Sequence, residues 1–253
     1  KTAKKALAIV AGPYRFYQVV WLYTQFTELE WNILLLPYGK GEGVVNNLYS
    51  KSEKLGIFNQ IYISKMIGQD SDMLSQIWMM LKMCWYYVCG KKKELMRRII
   101  FSQTNQDDFD VFFIGCEYSI IEGAVIGLAD EKKVYIFEEG LGDYLPRKKY
   151  PTFSIKEIIS YIVSKMGYFS PYTFFEMQNL SLCVKYASLP ELLYKRRYKE
   201  VRKLFKGDAF SNKRYKELLD RIYCVPKGIL ENSEIVFFYV SMGLEYGKKE
   251  LLL

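Results

Sequence analysis

Short apolar runs alternate with helix-patterned runs through the first half of the chain, and this alternation limits the fold more than any other feature. Ala6–Ala11 (ALAIVA), Asn32–Leu36 (NILLL), Ile57–Ile63, Asp110–Gly115 (DVFFIG) and Lys133–Phe137 (KVYIF) have the length and the aliphatic and aromatic content of buried strands. Between them Tyr14–Leu29, Val44–Leu55 and Asp70–Ile99 carry helical spacing, with an interruption expected at Gly90. Strands that are apolar on both sides must be covered on both sides, and strand–helix–strand connections bring neighbouring strands in parallel. The expected fold is therefore α/β: a Rossmann-like parallel sheet with flanking helices over residues 1–150.

The texture changes after Tyr150. Ile155–Met166, Pro190–Phe205 and Asn212–Ile222 are helix-patterned or charged, so 151–230 is expected to be a mainly helical segment. Glu234–Val240 (EIVFFYV) reads as one more strand, which either begins a second α/β domain over 231–253 or joins the first sheet at an edge. No period of the length used by solenoids recurs.

Composition removes several chemistries. The 253 residues include no histidine, which excludes any Ser-His or Cys-His nucleophile built from this chain alone. The five cysteines are scattered and form no CxxC, so neither a zinc site nor a disulfide framework is expected, and the cytoplasm is the expected compartment. Lys1–Lys5 leads directly into Ala6–Ala11, and no signal peptide is read there. Ile77–Cys89, the most apolar run, contains Lys82 and is shorter than the about 20 residues a membrane span needs. A net charge of +8 points to an anionic partner without choosing among nucleic acid, acidic lipid and a phosphorylated or carboxylated substrate.

The segment Val134–Tyr144 (VYIFEEGLGDY) carries the strongest chemical signal. A strand runs into Glu138 and Glu139 and then into Gly140 and Gly142. Ligands bind at the carboxyl ends of strands in open parallel sheets, and a carboxylate there can act as a general base. An acidic turn that simply closes the strand has the same residues. Ser119, after the strand Asp110–Gly115, is a candidate for substrate contact and equally for helix capping. The loop Tyr38–Gly43 (YGKGEG) has GxGxG spacing rather than the dinucleotide fingerprint GxGxxG, and no nicotinamide cofactor is expected.

Glu138-Glu139-Gly140 resembles the acidic-acidic-glycine motif of bacterial sialyltransferases, which closes a strand of their N-terminal domain. Ile9–Trp21 (IVAGPYRFYQVVW) is similar to the strand, Pro-containing turn and helix that open those enzymes and line their cleft. The resemblance covers roughly residues 6 to 150 and rests on one three-residue motif. It implies a GT-B architecture of two Rossmann domains, with this sheet on the acceptor side. It also implies an inverting, metal-independent transfer of sialic acid from CMP-sialic acid to a glycan of a capsule or lipooligosaccharide. The role carried over is general base for Glu138; beside it Glu139 is read as a supporting carboxylate, and Gly12, Pro13, Tyr14, Ser119, Gly140 and Gly142 as candidate substrate contacts. The donor is the nucleotide sugar, and no further cofactor is implied. The chain departs from the pattern in lacking the His-Pro motif and an assignable Ser/Thr phosphate motif, so it is expected to keep the acceptor side and to lack the nucleotide-binding half.

Two basic clusters remain. Lys91-Lys92-Lys93 with Arg97-Arg98, beside the aromatic run Ile77–Cys89, reads either as a surface for anionic lipid, placing the protein at the inner face of the plasma membrane, or as a solvated turn after a core helix. Lys195–Lys206 reads as an exposed helix face; nucleic acid would use the same residues, but no nucleic-acid motif accompanies them and none is expected as partner. Two functions compete with a sialyltransferase: another nucleotide-sugar transferase of the same fold, and a non-catalytic module that binds membrane or nucleic acid.

Overall fold

The computed structural model describes residues 3–37, 42–64, 85–86, 89–106, 108–115, 120–138, 140, 143–144, 177–193, 198–205 and 211–223. Chain order is β1 (Lys4–Val10), α1 (Pro13–Gln25), β2 (Leu29–Leu35), α2 (Glu42–Leu55), β3 (Gln60–Ile63), α3 (Lys92–Thr104), β4 (Val111–Ile114), α4 (Ile120–Gly127) and β5 (Lys133–Phe137). A 3-10 turn at Met177–Leu182 precedes β6 (Val184–Ala187), a second at Pro190–Leu192 precedes β7 (Glu200–Lys203), and α5 (Lys213–Tyr223) follows.

All seven strands form one parallel sheet in the order β3-β2-β1-β4-β5-β6-β7. The α/β, Rossmann-like expectation therefore holds. Strand periodicity divides the core in two. Ala6, Ala8 and Val10 of β1, Ile33 of β2 and Phe113 of β4 face one layer, with Phe16, Val19 and Val20 of α1, Leu48 of α2, and Tyr215 and Leu218 of α5. Leu7 and Ile9, Leu34, Phe112 and Ile114 face the other, with Met96 and Ile100 of α3 and Ala124 and Val125 of α4. Burial on both faces is why β1 and β4 read as unbroken apolar runs.

Three sequence expectations need correction. Pro190–Phe205 is not helical over its described part: it supplies a 3-10 turn and then β7, which pairs with β6 from Val184↔Glu200 to Ala187↔Lys203. The side chains of β7 are mostly exposed because the strand is an outer edge, and an exposed edge strand has the charged composition of a helix surface. The mainly helical segment expected from residue 151 is likewise corrected over 184–203, since β6 and β7 extend the first sheet, and Lys1–Ile222 form one compact unit. Finally, the helix expected to run to Leu29 ends at Gln25, because Leu29 already pairs with Lys4 as the first residue of β2.

Gly90 takes φ +70, a left-handed backbone that a residue without a Cβ adopts readily, and α3 starts two residues later, so the interruption read there is present. The helix Ile155–Met166 and the strand Glu234–Val240 lie outside the described residues. Among the described residues, no helix is long and apolar enough to cross a membrane.

Candidate functional site

Ladder register places the ends of β1, β4, β5 and β6 side by side. Ile9 is level with Ile114, Ile114 with Ile136, and Phe137 with Tyr186. The next residues, Gly12 to Arg15, Gly115, Glu138 and Ser188, therefore collect along one carboxyl edge of the sheet, where strand order reverses between β1 and β4. Open α/β sheets bind ligands at that edge.

Gly12 takes φ 94 and ψ 164, a region that side chains disfavour, and Pro13 follows as the first helical residue with its φ already set for the turn. This abrupt strand-to-helix turn puts Tyr14 in the first turn of α1. Its hydroxyl donates to Glu138 Oε1. The hydroxyl of Tyr144, from the same loop as Glu138, donates to Oε2. Ser188, just past β6, closes the ring: its Oγ donates to Oε1 at 2.8 Å and its backbone N–H to Oε2 at 2.6 Å. Each carboxylate oxygen thus accepts two hydrogen bonds, about the full capacity of an ionised carboxylate, and Glu138 is only 2% exposed.

The loop that carries Glu138 is held from below. Lys185 of β6 is buried and donates from Nζ to Asp143 Oδ2 at 3.1 Å and to the carbonyl of Phe137, the residue before Glu138, at 3.2 Å. Asp143 in turn donates its backbone N–H to Gly140 O at 3.1 Å. Gly140 has φ 131, which again calls for glycine, and a Cβ there would lie 4.0 Å from the ring of Tyr14. A buried ammonium is tolerable only with such partners, and here it ties β5, β6 and the acidic loop into one unit.

The crevice between β1 and β4 is filled by the protein itself. Arg15 Nη1 lies 3.4 Å from Glu122 Oε1, both side chains being buried, and the same oxygen accepts the backbone N–H of Gly115 at 3.1 Å. A Cβ on Gly115 would come within 2.6 Å of both Arg15 Cδ and Phe137 Cε2, so only glycine lets Arg15 cross the end of β4.

Burial first, and then the hydrogen bond each donates to Glu138, raises the phenols of Tyr14 and Tyr144 above their ordinary 10.0. Both are held as hydrogen-bond donors. Beside Tyr14, the buried amide of Gln18 finds no partner of ordinary hydrogen-bond geometry for either its N or its O among the described residues.

No family model, no curated protein and no solved structure matches the chain. The site stands on its own geometry.

Of the residues singled out from sequence, Gly12, Pro13, Tyr14, Glu138 and Gly140 come together at this edge. Glu139, Gly142, Ser119 and the 38–41 part of the Tyr38–Gly43 loop lie outside the described residues. Sequence reasoning missed Tyr144, Asp143, Lys185 and Ser188. The first two sit inside the VYIFEEGLGDY segment, where their spacing from Glu138 was a usable signal; the others belong to a segment whose residues carry no strand pattern.

The first basic cluster is largely engaged with acid. Lys93 pairs with Asp130 and, at 2.9 Å, with Glu131; Arg97 pairs with Glu131; and Arg98 pairs with Glu94 at 2.7 Å. The bridges of Lys93 and Arg97 fasten α3 to the turn before β5, and that of Arg98 lies within α3. They also reduce the net positive field such a cluster would present to a membrane. In the second cluster, Arg202 lies against Glu200 at 2.7 Å.

Proposed function

We propose that the chain is the acceptor-side part of an inverting glycosyltransferase that moves sialic acid from CMP-sialic acid to a glycan acceptor in surface-polysaccharide synthesis, with Glu138 as the general base. The observation that supports this most is the convergence on Glu138. Four donors from three separate parts of the chain, the first turn of α1, the loop after β5 and the end of β6, hold one carboxylate at the edge of the sheet where ligands bind. An acidic turn that merely closes a strand is exposed and has no need of such a ring.

In this reading the acceptor hydroxyl loses its proton toward Glu138 as its oxygen attacks the anomeric carbon from the side opposite the departing CMP. Arg15 and Glu122 pack into the neighbouring crevice between β1 and β4. The acceptor chemistry and the sialyl donor come from the sequence resemblance, and another sugar nucleotide would use the same edge of the sheet.

The test is transfer from CMP-sialic acid and from other sugar nucleotides to a panel of galactosides and sialosides, by the natural full-length protein and its Glu138→Gln variant. Sialyl transfer that Glu138→Gln abolishes is the expected result. Transfer of a different sugar would keep the base and replace the donor. Inactivity with every donor would leave a non-catalytic module and end the transferase reading.

A further inference from the structure

Glu138 is poorly placed to touch an acceptor itself. Its carboxylate is 2% exposed, and both oxygens are occupied by donors. A hydroxyl must approach to about 2.6–3.2 Å of the group that takes its proton. Tyr14, Tyr144 and Ser188 around the carboxylate are all half-buried, and of the two phenols Tyr144 is the less deeply covered.

We propose that Tyr144 is a catalytic residue that contacts the acceptor hydroxyl and relays its proton to Glu138. This rests on the transferase reading of the site. The Tyr144 hydroxyl donates to Glu138 Oε2 and accepts the backbone N–H of Leu189 at 3.1 Å, so its oxygen is held from two directions. A phenol oxygen in that position keeps acceptor capacity for one incoming hydroxyl.

In the step itself, the acceptor O–H breaks and its proton goes to Tyr144 Oη, while the proton already on Oη goes to Glu138 Oε2. The electron pair left on the acceptor oxygen forms the bond to the anomeric carbon. The bond from that carbon to the nucleotide phosphate breaks, and its electrons leave with CMP. Tyr144 ends as a neutral phenol and Glu138 as a neutral acid, so charge and protons balance. Burial and the bond to Glu138 raise the Tyr144 phenol, which disfavours a standing tyrosinate and makes the two protons move together. Ser188 serves as a positioning residue, since it clamps both carboxylate oxygens.

The experiment uses the natural full-length protein, with CMP-sialic acid as donor and with Glu138→Gln, Tyr144→Phe and the double variant. The expected result is a fall in kcat of about 10²-fold or more for each single variant, with KM within a few-fold, and no further fall in the double, because members of one relay fail as a unit. Wild-type rates in mixed light and heavy water should curve, as two moving protons require, and 3-fluorotyrosine at position 144, a more acidic phenol, should restore kcat while shifting the pH profile. If Glu138→Gln is inactive but Tyr144→Phe keeps its kcat, the relay is overturned and Glu138 acts directly. If Tyr144→Phe fails only through KM or loss of folding and the rates are linear in heavy water, Tyr144 is structural. If Glu138→Gln remains active, or no donor is turned over, the reading of the site falls and the relay with it.

Discussion

Gly115→Ala tests how tightly the crevice between β1 and β4 is filled. The added methyl would stand 2.6 Å from Arg15 Cδ, 2.6 Å from Phe137 Cε2 and 2.9 Å from Arg15 Nε, all well inside the 3.4 Å at which ordinary van der Waals contact begins. Phe137 is fully buried and has nowhere to retreat, while Arg15 can yield only by disturbing its approach to Glu122. Overpacking of a well-filled site costs about 1–3 kcal/mol, and the two-sided clash with a held arginine places this substitution near the upper end. In a chain of this size that is a fall in Tm of roughly 4–12 °C. Urea unfolding followed by far-UV circular dichroism measures it, with an unchanged m-value showing that the same surface is exposed. Gly43→Ala is the control of opposite sign: that glycine lies in α2 with nothing within 4 Å of where the methyl would stand, and alanine there should be neutral or stabilise by up to about 1 kcal/mol. Phe137→Leu should cost less in the Gly115→Ala background than alone, because it removes one side of the clash. A Gly115→Ala cost below about 0.5 kcal/mol would refute this close packing.

Other perturbations reach different parts of the molecule. Glu138→Gln should cost about 1–3 kcal/mol in stability as well as activity, because one amide NH₂ replaces an acceptor among four donors and the Ser188 N–H cannot turn away; equal urea midpoints for the two proteins would contradict the ring of hydrogen bonds. Burial raises the phenol of Tyr215, so its contribution to stability is complete below the ordinary 10.0 and is lost as pH rises above it, by at most about 1.4 kcal/mol per pH unit. Tyr14 and Tyr144 act in the same direction, and Tyr215→Phe should flatten the alkaline limb of stability against pH. Trp21 Nε1 donates to Leu204 O at 2.6 Å, and Trp21→Phe should lower stability by about 1–3 kcal/mol through the lost donor and reduced packing, measured by the same urea titration. Glu131→Gln, by contrast, removes exposed bridges to Lys93 and Arg97 and should change stability by about 1 kcal/mol or less, with the difference fading in high salt.

The class of fold and the turns that carry Tyr14 and Glu138 were legible in the residues alone. Unbroken apolar strands such as ALAIV and VFFI can be satisfied only between two layers of helices, and helical runs between them impose parallel neighbours. The AGPY turn and the run from VYIF into EEG could be read because Gly, Pro and a carboxylate at a strand end have local physical consequences that need no distant partner. Strand order, the last two strands and most of the site depend instead on contacts between distant parts of the chain. β6 and β7 are four residues each and carry Lys185, Glu200, Arg202 and Lys203, so neither hydrophobic period nor length marks them as strands. The pairing of β6 to β5 and of β7 to β6 overrides that local signal, because backbone groups at a sheet edge gain ladder hydrogen bonds whatever the side chains are. Ser188 reaches Glu138 across 50 residues and Tyr14 reaches it across 124, and proximity at that separation is a property of the folded sheet alone. Only the fold could also show that Arg15 fills the cleft, since a glycine in sequence does not reveal what stands where its side chain would be.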